Sequence, residues 1–412
     1  MSSESLRNAM VDRFLADQAA EGGSPRPEVE AAMRAVPREV FTPGLPLEQA
    51  YENEAVLKKM RGDEAISSVS APFLIGRTLG QAADALDGLD GLDGRHVLEI
   101  GSGGYNASLL RELVGPAGSV TTVDIDPEVT DRAISCLTAA GYDDVTVLRA
   151  DAEHPIPPGR TFDLIIVTVG AWDIPPAWLD QLTDKGVLVL PLRTFGMTRS
   201  WALRRHEGRL TSVSQRLCGF VSMQGTGARE VRYVDLADGV HLRLDEGQDV
   251  DPAAITDLLT TPREQAWAGV SLPPRTDLSD LDLWLAARPR REAEQFVVLA
   301  AQEEAVTAGI VTPSWRFAVP ATLEAGTLAY RSALRWTDRR FDLGACAHGT
   351  GAAAAAGRMA EHLRAWVDAG CPHPVLHVLP AHTPDGDLPD GAVLDKRHSR
   401  LVLTFTTDEK GI

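Results

Sequence analysis

The chain has few cysteines, and none of them lies in a pairing pattern. Cys136, Cys218, Cys346 and Cys371 are scattered over 412 residues without a C-x-x-C spacing, which argues against a disulfide framework or a redox pair. We therefore expect free thiols in a reducing cytoplasm. Cys346 and Cys371 each stand two residues before a histidine, but helix and loop chemistry explains each pair separately, so we expect no metal site.

Basic residues and long apolar runs are also scarce. Asp and Glu outnumber Lys and Arg by 58 to 40, and the net charge is −18 with a sequence pI of about 5.0. This charge disfavours nucleic acid and anionic membranes as partners and suits a positively charged peptide segment better. No apolar run is long enough to span a bilayer, and the first ten residues have no signal-peptide core. We expect a cytoplasmic protein that binds neither nucleic acid nor membrane.

A missing glycine decides how the most informative segment, VLEIGSGGYNASLL at 97–110, is interpreted. An apolar strand leads into a glycine turn, and a helix follows at once, which is typical of a small-molecule site at the carboxyl edge of a parallel sheet. The dinucleotide fingerprint needs a third glycine three residues after the second, but Asn106 stands three residues after Gly103. The spacing, with Glu99 inside the strand, is closer to the turn that class I methyltransferases form around S-adenosylmethionine.

Strands and helices alternate around this turn. The pattern predicts strands at 97–100, 119–126, 145–151, 162–170 and 186–192, and a hairpin over 200–215 that turns at Glu207-Gly208. Asp126 is placed to cap a helix that Pro127 begins and Gly141 ends. A mostly parallel α/β sheet closed by an antiparallel hairpin is the class I methyltransferase topology, and we predict this Rossmann-like fold.

Two strand-end aspartates are candidate cofactor ligands. Asp124 ends the second strand, where a carboxylate accepts hydrogen bonds from ribose hydroxyls. Asp151 ends the third strand, where we expect it to reach the adenine amino group. The alternative is that such aspartates only cap the following helix. Asp126 fits that alternative well and Asp124 fits it poorly, because Asp124 precedes the cap.

Segments upstream and downstream of the glycine turn share one family pattern. These are VPREVFTP (36–43), Tyr51, SVSAPFL (68–74), LEIGSGGYNA (98–107), FDLIIVTVGA (162–171) and LVLPL (188–192). Together they resemble protein-L-isoaspartate O-methyltransferases over about the first 225 residues. The shortened SGGY turn and the pair 170–178 with 218–225 resemble more closely the branch associated with lanthipeptide and related peptide-modifying genes. That branch also has a long C-terminal part, as this chain does.

The resemblance implies the following site. Ser70 matches the serine that holds the reacting carboxylate, with Ser67 and Ser68 as rivals. The implied cofactor ligands are Glu99, Gly101, Ser102, Gly103, Asp124, Ile125, Asp151, Ala152 and Val167. The implied substrate contacts are Ser68, Val69, Thr168 and Leu192. The turn is one residue shorter than the GxGSGY of the family. Gly101 and Gly103 therefore align directly with family positions, whereas the alignment of the residues around them shifts by up to one position.

The implied chemistry needs no catalytic dyad. A carboxylate with an ordinary pKa of about 3.9 is ionised at neutral pH, so methyl transfer to it requires alignment and no general base. The repair enzymes methylate isoaspartate, whereas the peptide-modifying relatives methylate an aspartate side chain and so install succinimide or isoaspartate. We predict the second activity, on a ribosomally made precursor peptide. The alternatives are general isoaspartate repair and a catalytically idle relative that binds a peptide.

The remaining sequence predicts an additional α+β domain. We divide the chain into an N-terminal substrate-side segment (1–80), a cofactor-binding core (81–228) and a C-terminal domain (229–412). The patterns in the last part predict a hairpin at 231–247, helices at 251–261 and 263–270, a loop at 271–280, strands at 294–303 and 327–336, a helix at 348–370 and a strand at 397–405. Its strand edges suit binding of an extended precursor peptide by strand addition. The alternative is a dimerisation or lid domain.

Overall fold

The structure, a computed structural model, describes residues 1–407 with the exception of residues 63, 87–90, 102, 207–208 and 246. The helices are α1 (Ser3–Ala20), α2 (Pro27–Ala35), α3 (Arg38–Phe41), α4 (Leu47–Ala50), α5 (Pro72–Leu86), α6 (Tyr105–Val114), α7 (Pro127–Ala140), α8 (Pro176–Asp180), α9 (Pro252–Ile255), α10 (Ser279–Ala287), α11 (Glu303–Thr307) and α12 (Ala352–Asp368).

The strands fall into three sheets. They are β1 (Val56–Arg61), β2 (Glu64–Val69), β3 (His96–Ile100), β4 (Ser119–Asp124), β5 (Thr146–Arg149), β6 (Phe162–Val167), β7 (Leu182–Thr194), β8 (Met197–His206), β9 (Arg209–Leu217), β10 (Arg232–Ala237), β11 (Val240–Leu244), β12 (Glu264–Leu272), β13 (Gln295–Ala301), β14 (Val319–Glu324), β15 (Thr327–Arg331), β16 (Arg335–Thr337), β17 (Arg340–His348), β18 (His373–Pro380), β19 (Ala392–Asp395) and β20 (Ser399–Thr406).

The first sheet contains the glycine turn and has the predicted topology. Its strand order is β19-β20-β18-β9-β8-β7-β6-β3-β4-β5. Strands β5, β4, β3, β6 and β7 are parallel, and β8 and β9 then form an antiparallel hairpin. The inner strands are apolar on both faces because helices cover both sides of a parallel sheet. This confirms the expected α/β class I methyltransferase fold. The predicted turn at Glu207-Gly208 lies outside the described residues.

The helix after β4 begins and ends where the sequence indicates. The Asp126 side chain caps α7 by accepting a hydrogen bond of 2.9 Å from the backbone N–H of Glu128. Pro127 is the first helical residue and Gly141 terminates the helix in the left-handed region. Local capping chemistry therefore fixes the position of the helix that follows the Asp124 edge.

The second sheet is antiparallel and belongs to the additional region. Its order is β10-β11-β13-β14-β15-β17-β12, with β16 on β17, and α12 packs on β12, β17 and β15. The predicted hairpin 231–247, strand 294–303 and helix 348–370 are confirmed by β10–β11, β13 and α12. The predicted helix at 263–270 is wrong, because this segment is strand β12. Pairing with β17 overrides the local pattern there, with Trp267 opposite Gly344.

Residues after 372 return to the first sheet. Strand β18 pairs with β9 at His377–Thr211 and Val378–Leu210, and β20 and β19 extend the sheet beyond β18. The expected C-terminal domain, 229–412, therefore does not form one separate sheet, because its last three strands extend the first sheet. Without β18, the edge of β9 would have unpaired backbone N–H and C=O groups. Strand β18, about 160 residues downstream, pairs with this edge.

Helix α10 joins the two large sheets through a buried ion-pair cluster. Asp282 forms two ion pairs: Arg331 Nη2 lies 2.7 Å from its Oδ1, and Arg199 Nη2 lies 3.3 Å from its Oδ2. Arg331 lies on β15 of the second sheet and Arg199 on β8 of the first, and all three side chains are buried. Among the described residues, no helix is both long and apolar enough to cross a membrane.

Candidate functional site

The glycine turn is fitted against the end of β6. Gly101 has a φ of +99°, and a Cβ atom there would lie 2.7 Å from Thr168 Oγ1 and 2.9 Å from Val169 Cγ1. Thr168 Oγ1 donates to the Gly101 carbonyl at 2.7 Å and so locks the two strand ends together. Only glycine fits this position without displacing Thr168.

The segment VPREVF supports the turn from behind. Arg38 is fully buried and donates from Nε to the Ala50 carbonyl at 2.9 Å. Its guanidinium lies 4.9 Å from the ring centroid of Tyr105, the first residue of α6. Phe41 packs against the same ring with centroids 5.7 Å apart. These buried contacts give the segment a structural role in holding the start of α6.

Two adjoining cavities lie at the carboxyl edge of the parallel strands. The inner cavity brings together most of the predicted residues: Ser68, Val69, Ser70, Glu99, Gly101, Gly103, Asp124 and Thr168. The outer cavity, of ≈ 470 Å³, is lined by Gly101, Asp124, Ile125, Asp151 and Ala152, among others. Val167 and Leu192 are fully buried in the core beneath this edge and line neither cavity. Ser102 lies outside the described residues.

Two of the three candidate serines face the inner cavity with uncommitted hydroxyls. Ser68 lies in β2 and Ser70 directly follows Val69, the last residue of that strand, and residues two apart in an extended chain lie on one face. Within the described part of the chain, neither hydroxyl makes a hydrogen bond. Ser67 also lines the cavity, but its Oγ accepts a hydrogen bond of 3.2 Å from Arg132 Nη2. The structure thus favours Ser70 and Ser68 over Ser67 as ligand-binding hydroxyls.

Glu99 lies in the wall of the inner cavity and is fully buried. Burial raises the pKa of Glu99 to about 7, with Asp124 adding in the same direction, although hydrogen bonds from Thr122 and Asn106 oppose the change. Asn106 Nδ2 donates to Glu99 Oε1 at 2.9 Å, and Thr122 Oγ1 donates to Oε2. Glu99 is therefore a partly protonated carboxyl group at neutral pH, held between β3, β4 and α6.

The two strand-end aspartates have different surroundings. Asp124 lines both cavities, and its Oδ1 accepts from the Asp126 backbone N–H at 2.8 Å. Asp151 accepts from the backbone N–H groups of Glu153 and Thr226, both at 3.0 Å. Burial opposes ionisation of Asp151, but these two backbone hydrogen bonds hold its pKa below the ordinary value. Asp151 is thus an ionised group that anchors a wall of the outer cavity.

A profile of the family described as "Protein-L-isoaspartate(D-aspartate) O-methyltransferase (PCMT)" matches residues 10–228, just over half of the chain. The chain belongs to this family. The match ends four residues before β10, where the second sheet begins. The family region therefore contains the glycine turn, both cavities and the β8–β9 hairpin.

Curated family members cover the first part of the chain. The protein-L-isoaspartate O-methyltransferase of Ignicoccus hospitalis is 39% identical over 174 residues, which are 42% of this chain and 77% of that protein. Protein-L-isoaspartate O-methyltransferase 1 of Rhodopseudomonas palustris (strain HaA2) is 31% identical over 272 residues, which are 65% of this chain and 89% of that protein. Neither of these two relatives matches the whole of this chain.

Two solved structures resemble this chain with TM-scores below 0.5. A chain titled protein-L-isoaspartate O-methyltransferase covers 89% of this chain and 96% of its own length, with 20% identity and a TM-score of 0.46. A Plasmodium falciparum family protein, crystallised with S-adenosyl-L-homocysteine, covers 53% of this chain and 98% of its own length, with 14% identity and a TM-score of 0.44.

The structure adds a wall that sequence reasoning did not assign to the site. The segment after β9 runs beside the end of β6: Gly170 N donates to the Val221 carbonyl at 2.8 Å, and Met223 N donates to the Gly170 carbonyl at 3.0 Å. Arg61, at the end of β1, donates to Gln224 Oε1 at 2.7 Å and closes the outer cavity from the other side. The resemblance in 218–225 was the available signal for this wall.

Proposed function

We propose that this protein transfers a methyl group from S-adenosylmethionine to an aspartyl or isoaspartyl carboxylate in a polypeptide. The observation that carries the proposal is the meeting of two uncommitted serine hydroxyls with the glycine turn in the inner cavity. Family membership supports the same reaction, since the family is named for methyl transfer to isoaspartyl carboxyl groups.

The residues present fit the cofactor. Gly101 allows the turn to pack closely against Thr168, and Gly103 presents an open backbone next to Ser68, where a Cβ atom would have only the Ser68 carbonyl oxygen within 4 Å, at 3.8 Å. Asp124, at the boundary of the two cavities, supplies a carboxylate acceptor for ribose hydroxyls. Ile125 supplies an exposed apolar surface in the outer cavity. When bound, S-adenosylmethionine supplies an electrophilic methyl group.

The protein then has to hold the substrate carboxylate in line with the methyl group and the sulfur of the cofactor. Ser70 donates a hydrogen bond to one carboxylate oxygen, and Ser68 is placed to assist from the same face of the chain. Thr168 and Val69 border the same space. Because the acceptor is ionised at neutral pH, no group has to remove a proton, and alignment in a narrow cavity supplies the rate enhancement.

We further propose, as the finer assignment, that the substrate is an aspartate in a ribosomally made precursor peptide, converted through its methyl ester to succinimide or isoaspartate. The support is the region beyond residue 228, which packs beside the outer cavity. His398 lies 2.7 Å from Glu153 Oε1, and Ser399 Oγ donates to Asp173 Oδ1 at 2.6 Å. General isoaspartate repair is the alternative, and it agrees with the names of the curated relatives.

Calorimetry with S-adenosylhomocysteine tests the reaction class. We expect binding to the unaltered protein, and Asp124→Asn should weaken it by about 1.5–3 kcal/mol because a charged acceptor becomes neutral. Asn keeps an oxygen for the Asp126 N–H, so the helix cap persists. Asp131→Asn, at an exposed position on α7, is the matched control and should bind normally. No binding to the unaltered protein refutes the proposed reaction.

Methyl transfer assays separate the two substrate classes. A precursor-specific enzyme should methylate an unmodified aspartate in its cognate peptide and act poorly on short generic isoaspartyl peptides, because remote binding energy positions its acceptor. Brisk methylation of generic isoaspartyl peptides by the full chain, with no activity on aspartyl peptides, establishes repair instead.

A further inference from the structure

A third cavity, of ≈ 190 Å³, lies between the site and the second sheet. Its lining includes Arg193, Arg229 and Arg243, and no Asp or Glu is found among the described residues that line it. This is the reverse of the whole-chain balance, in which acidic residues exceed basic ones by 18. The overall charge favours a basic peptide as partner, but this cavity has the opposite local character. Local charge decides which group a cavity accepts.

Arg243 makes no direct ion pair with a described residue, although the charge of Asp245 acts on it. Arg193, by contrast, is paired with Asp245. Arg243 Nη2 donates to the Gly196 carbonyl at 3.2 Å, and its Nε is buried without an acceptor. The guanidinium therefore retains donors that nothing in the described part of the chain satisfies.

The position of Arg243 is fixed by the sheet. It lies on β11, opposite Tyr233 of β10 and Val298 of β13. Burial lowers the pKa of Arg243 to about 10, with the charge of Arg193 adding to this effect, so the group is still cationic at neutral pH. The charge of Asp245 offsets part of this effect without forming a direct ion pair. A bound carboxylate would add a charge-assisted hydrogen bond to the partly buried cation.

The third cavity adjoins the site across a shared wall. Ser222 and Met223 line both the outer cavity and the third cavity, and Gly170 of the third cavity follows Val169, which lines the inner and outer cavities. Trp172 and Tyr233 add aromatic surface to its wall. An extended polypeptide advances about 3.3 Å per residue, so the proposal below needs a substrate that passes this wall within a few residues of the acceptor.

We propose that the third cavity is a specificity subsite for an acidic side chain of the polypeptide substrate, and that Arg243 is its ion-pair partner. This inference rests on the proposed function, and it adds the chemical character of the sequence around the methyl acceptor. The planar guanidinium suits bidentate pairing with a carboxylate.

The test compares two short fluorescent peptides that share one isoaspartyl residue and differ in their flanks, which carry Glu in one and Gln in the other. Binding to the full chain is measured in the presence of S-adenosylhomocysteine. We expect the Glu peptide to bind more tightly, and Arg243→Gln should weaken it on the order of 30-fold while leaving the Gln peptide unchanged. Arg243→Lys should recover part of the preference for the Glu peptide, because lysine keeps the positive charge but cannot form a bidentate pair with a carboxylate.

The matched control is Arg232→Gln on the neighbouring strand β10. Arg232 is half exposed, is paired with Asp249 at 3.3 Å and lies outside the cavity, so its loss should leave the preference for Glu intact. The melting temperature separates a binding role from a structural one. Removing an unpaired buried charge should not lower it, whereas removing a structural ion pair would.

Equal binding of the two peptides to the unaltered protein, or an undiminished preference in Arg243→Gln, overturns the subsite. Inorganic phosphate tests whether the cavity is instead a site for free anions. If phosphate raises the melting temperature of the unaltered protein but not of Arg243→Gln, while the two peptides bind equally, the peptide assignment is overturned. S-adenosylhomocysteine affinity, measured separately, reports failure of the proposed reaction, and it should be unchanged in Arg243→Gln.

Discussion

Asp151 and Thr226 join the end of the third parallel strand to the wall that follows β9. The Thr226 backbone N–H donates to Asp151 Oδ2 at 3.0 Å, across 75 positions of sequence. Contact of Asp151 with the adenine amino group of the cofactor stays a prediction. In the structure, the carboxylate sets where the 225–227 turn lies, and therefore sets the shape of the outer cavity.

Gly225→Ala tests this wall. Gly225 has a φ of +80°, and a Cβ atom would lie 2.7 Å from both Asp151 Oδ2 and Ile125 Cδ1. The added methyl group should displace the turn and weaken S-adenosylhomocysteine binding by roughly 1–3 kcal/mol, with a smaller effect on the melting temperature. Gly219→Ala is the control, since a Cβ atom there meets no atom within 4 Å. Equal affinities of the two variants in calorimetry would show that the turn does not shape the cofactor site.

Ser70→Ala tests the acceptor contact. If Ser70 orients the carboxylate in the transition state, turnover should fall by about 10²-fold while S-adenosylhomocysteine affinity stays within about twofold. Ser67→Ala is the matched control, because the Ser67 hydroxyl already pairs with Arg132. Steady-state methyl transfer to a substrate peptide measures both variants. Undiminished turnover in Ser70→Ala transfers the role to Ser68, whose alanine variant then becomes the decisive measurement.

Glu99→Gln tests the buried carboxyl group through pH. The pKa of Glu99 is raised from 4.5 to about 7 in the folded state, so its protonated form stabilises the fold fully below about pH 4.5 and this contribution is lost as pH rises through 7. The full change is about 3 kcal/mol, since each tenfold change in proton affinity corresponds to about 1.4 kcal/mol. Glutamine is neutral at every pH and should remove this part of the dependence.

Urea unfolding at about pH 5 and about pH 8 measures the effect. The unaltered protein should lose stability relative to Glu99→Gln between these two values. Glu48→Gln, at an exposed position on α4, should follow the unaltered protein. Parallel pH profiles for all three proteins would show that Glu99 is ionised throughout this range.

The local structure that the sequence predicted correctly is determined by local chemistry, while the ligand roles of these residues stay predictions. Gly101, Asp124 and Asp126 stand at strand ends and helix starts, where turn geometry and capping leave few alternatives. The family resemblance implied Val167 and Leu192 as ligand contacts, and the structure places both in the core. In a parallel strand both faces are buried, so order along the strand does not tell which residue is the last to reach the cavity.

Long-range pairing is what the sequence could not reveal. Nothing in residues 373–380 indicates that they add to β9, because any apolar strand satisfies that edge. The consequence is practical. A chain ended near Gly227 would expose the β9 edge and lose the His398–Glu153 contact beside the site. Point substitutions in the full chain are therefore sharper tests of the additional region than truncation.

Asp282→Asn tests how the two large sheets are held together. Asp282 bridges Arg331 at 2.7 Å and Arg199 at 3.3 Å, and its side chain is 9% exposed. Asparagine preserves the shape but leaves two buried guanidinium groups without a counter-charge, which should cost about 3–5 kcal/mol of the free energy of unfolding. Asp277→Asn, just before α10, is the matched control. Its Oδ1 accepts from the Ser279 backbone N–H, a contact that asparagine keeps.

Urea unfolding followed by tryptophan fluorescence measures both variants. Trp201 reports on the first sheet and Trp267 on the second, so single-tryptophan versions show whether the sheets unfold together. We expect one shared transition in the unaltered protein and a change of less than about 0.5 kcal/mol in Asp277→Asn. In Asp282→Asn the transition should move to lower urea and separate into two, because the charges that α10 neutralises between the sheets then repel each other. A single unshifted transition in Asp282→Asn would mean that apolar packing around α10, rather than the ion-pair cluster, couples the second sheet to the methyltransferase sheet.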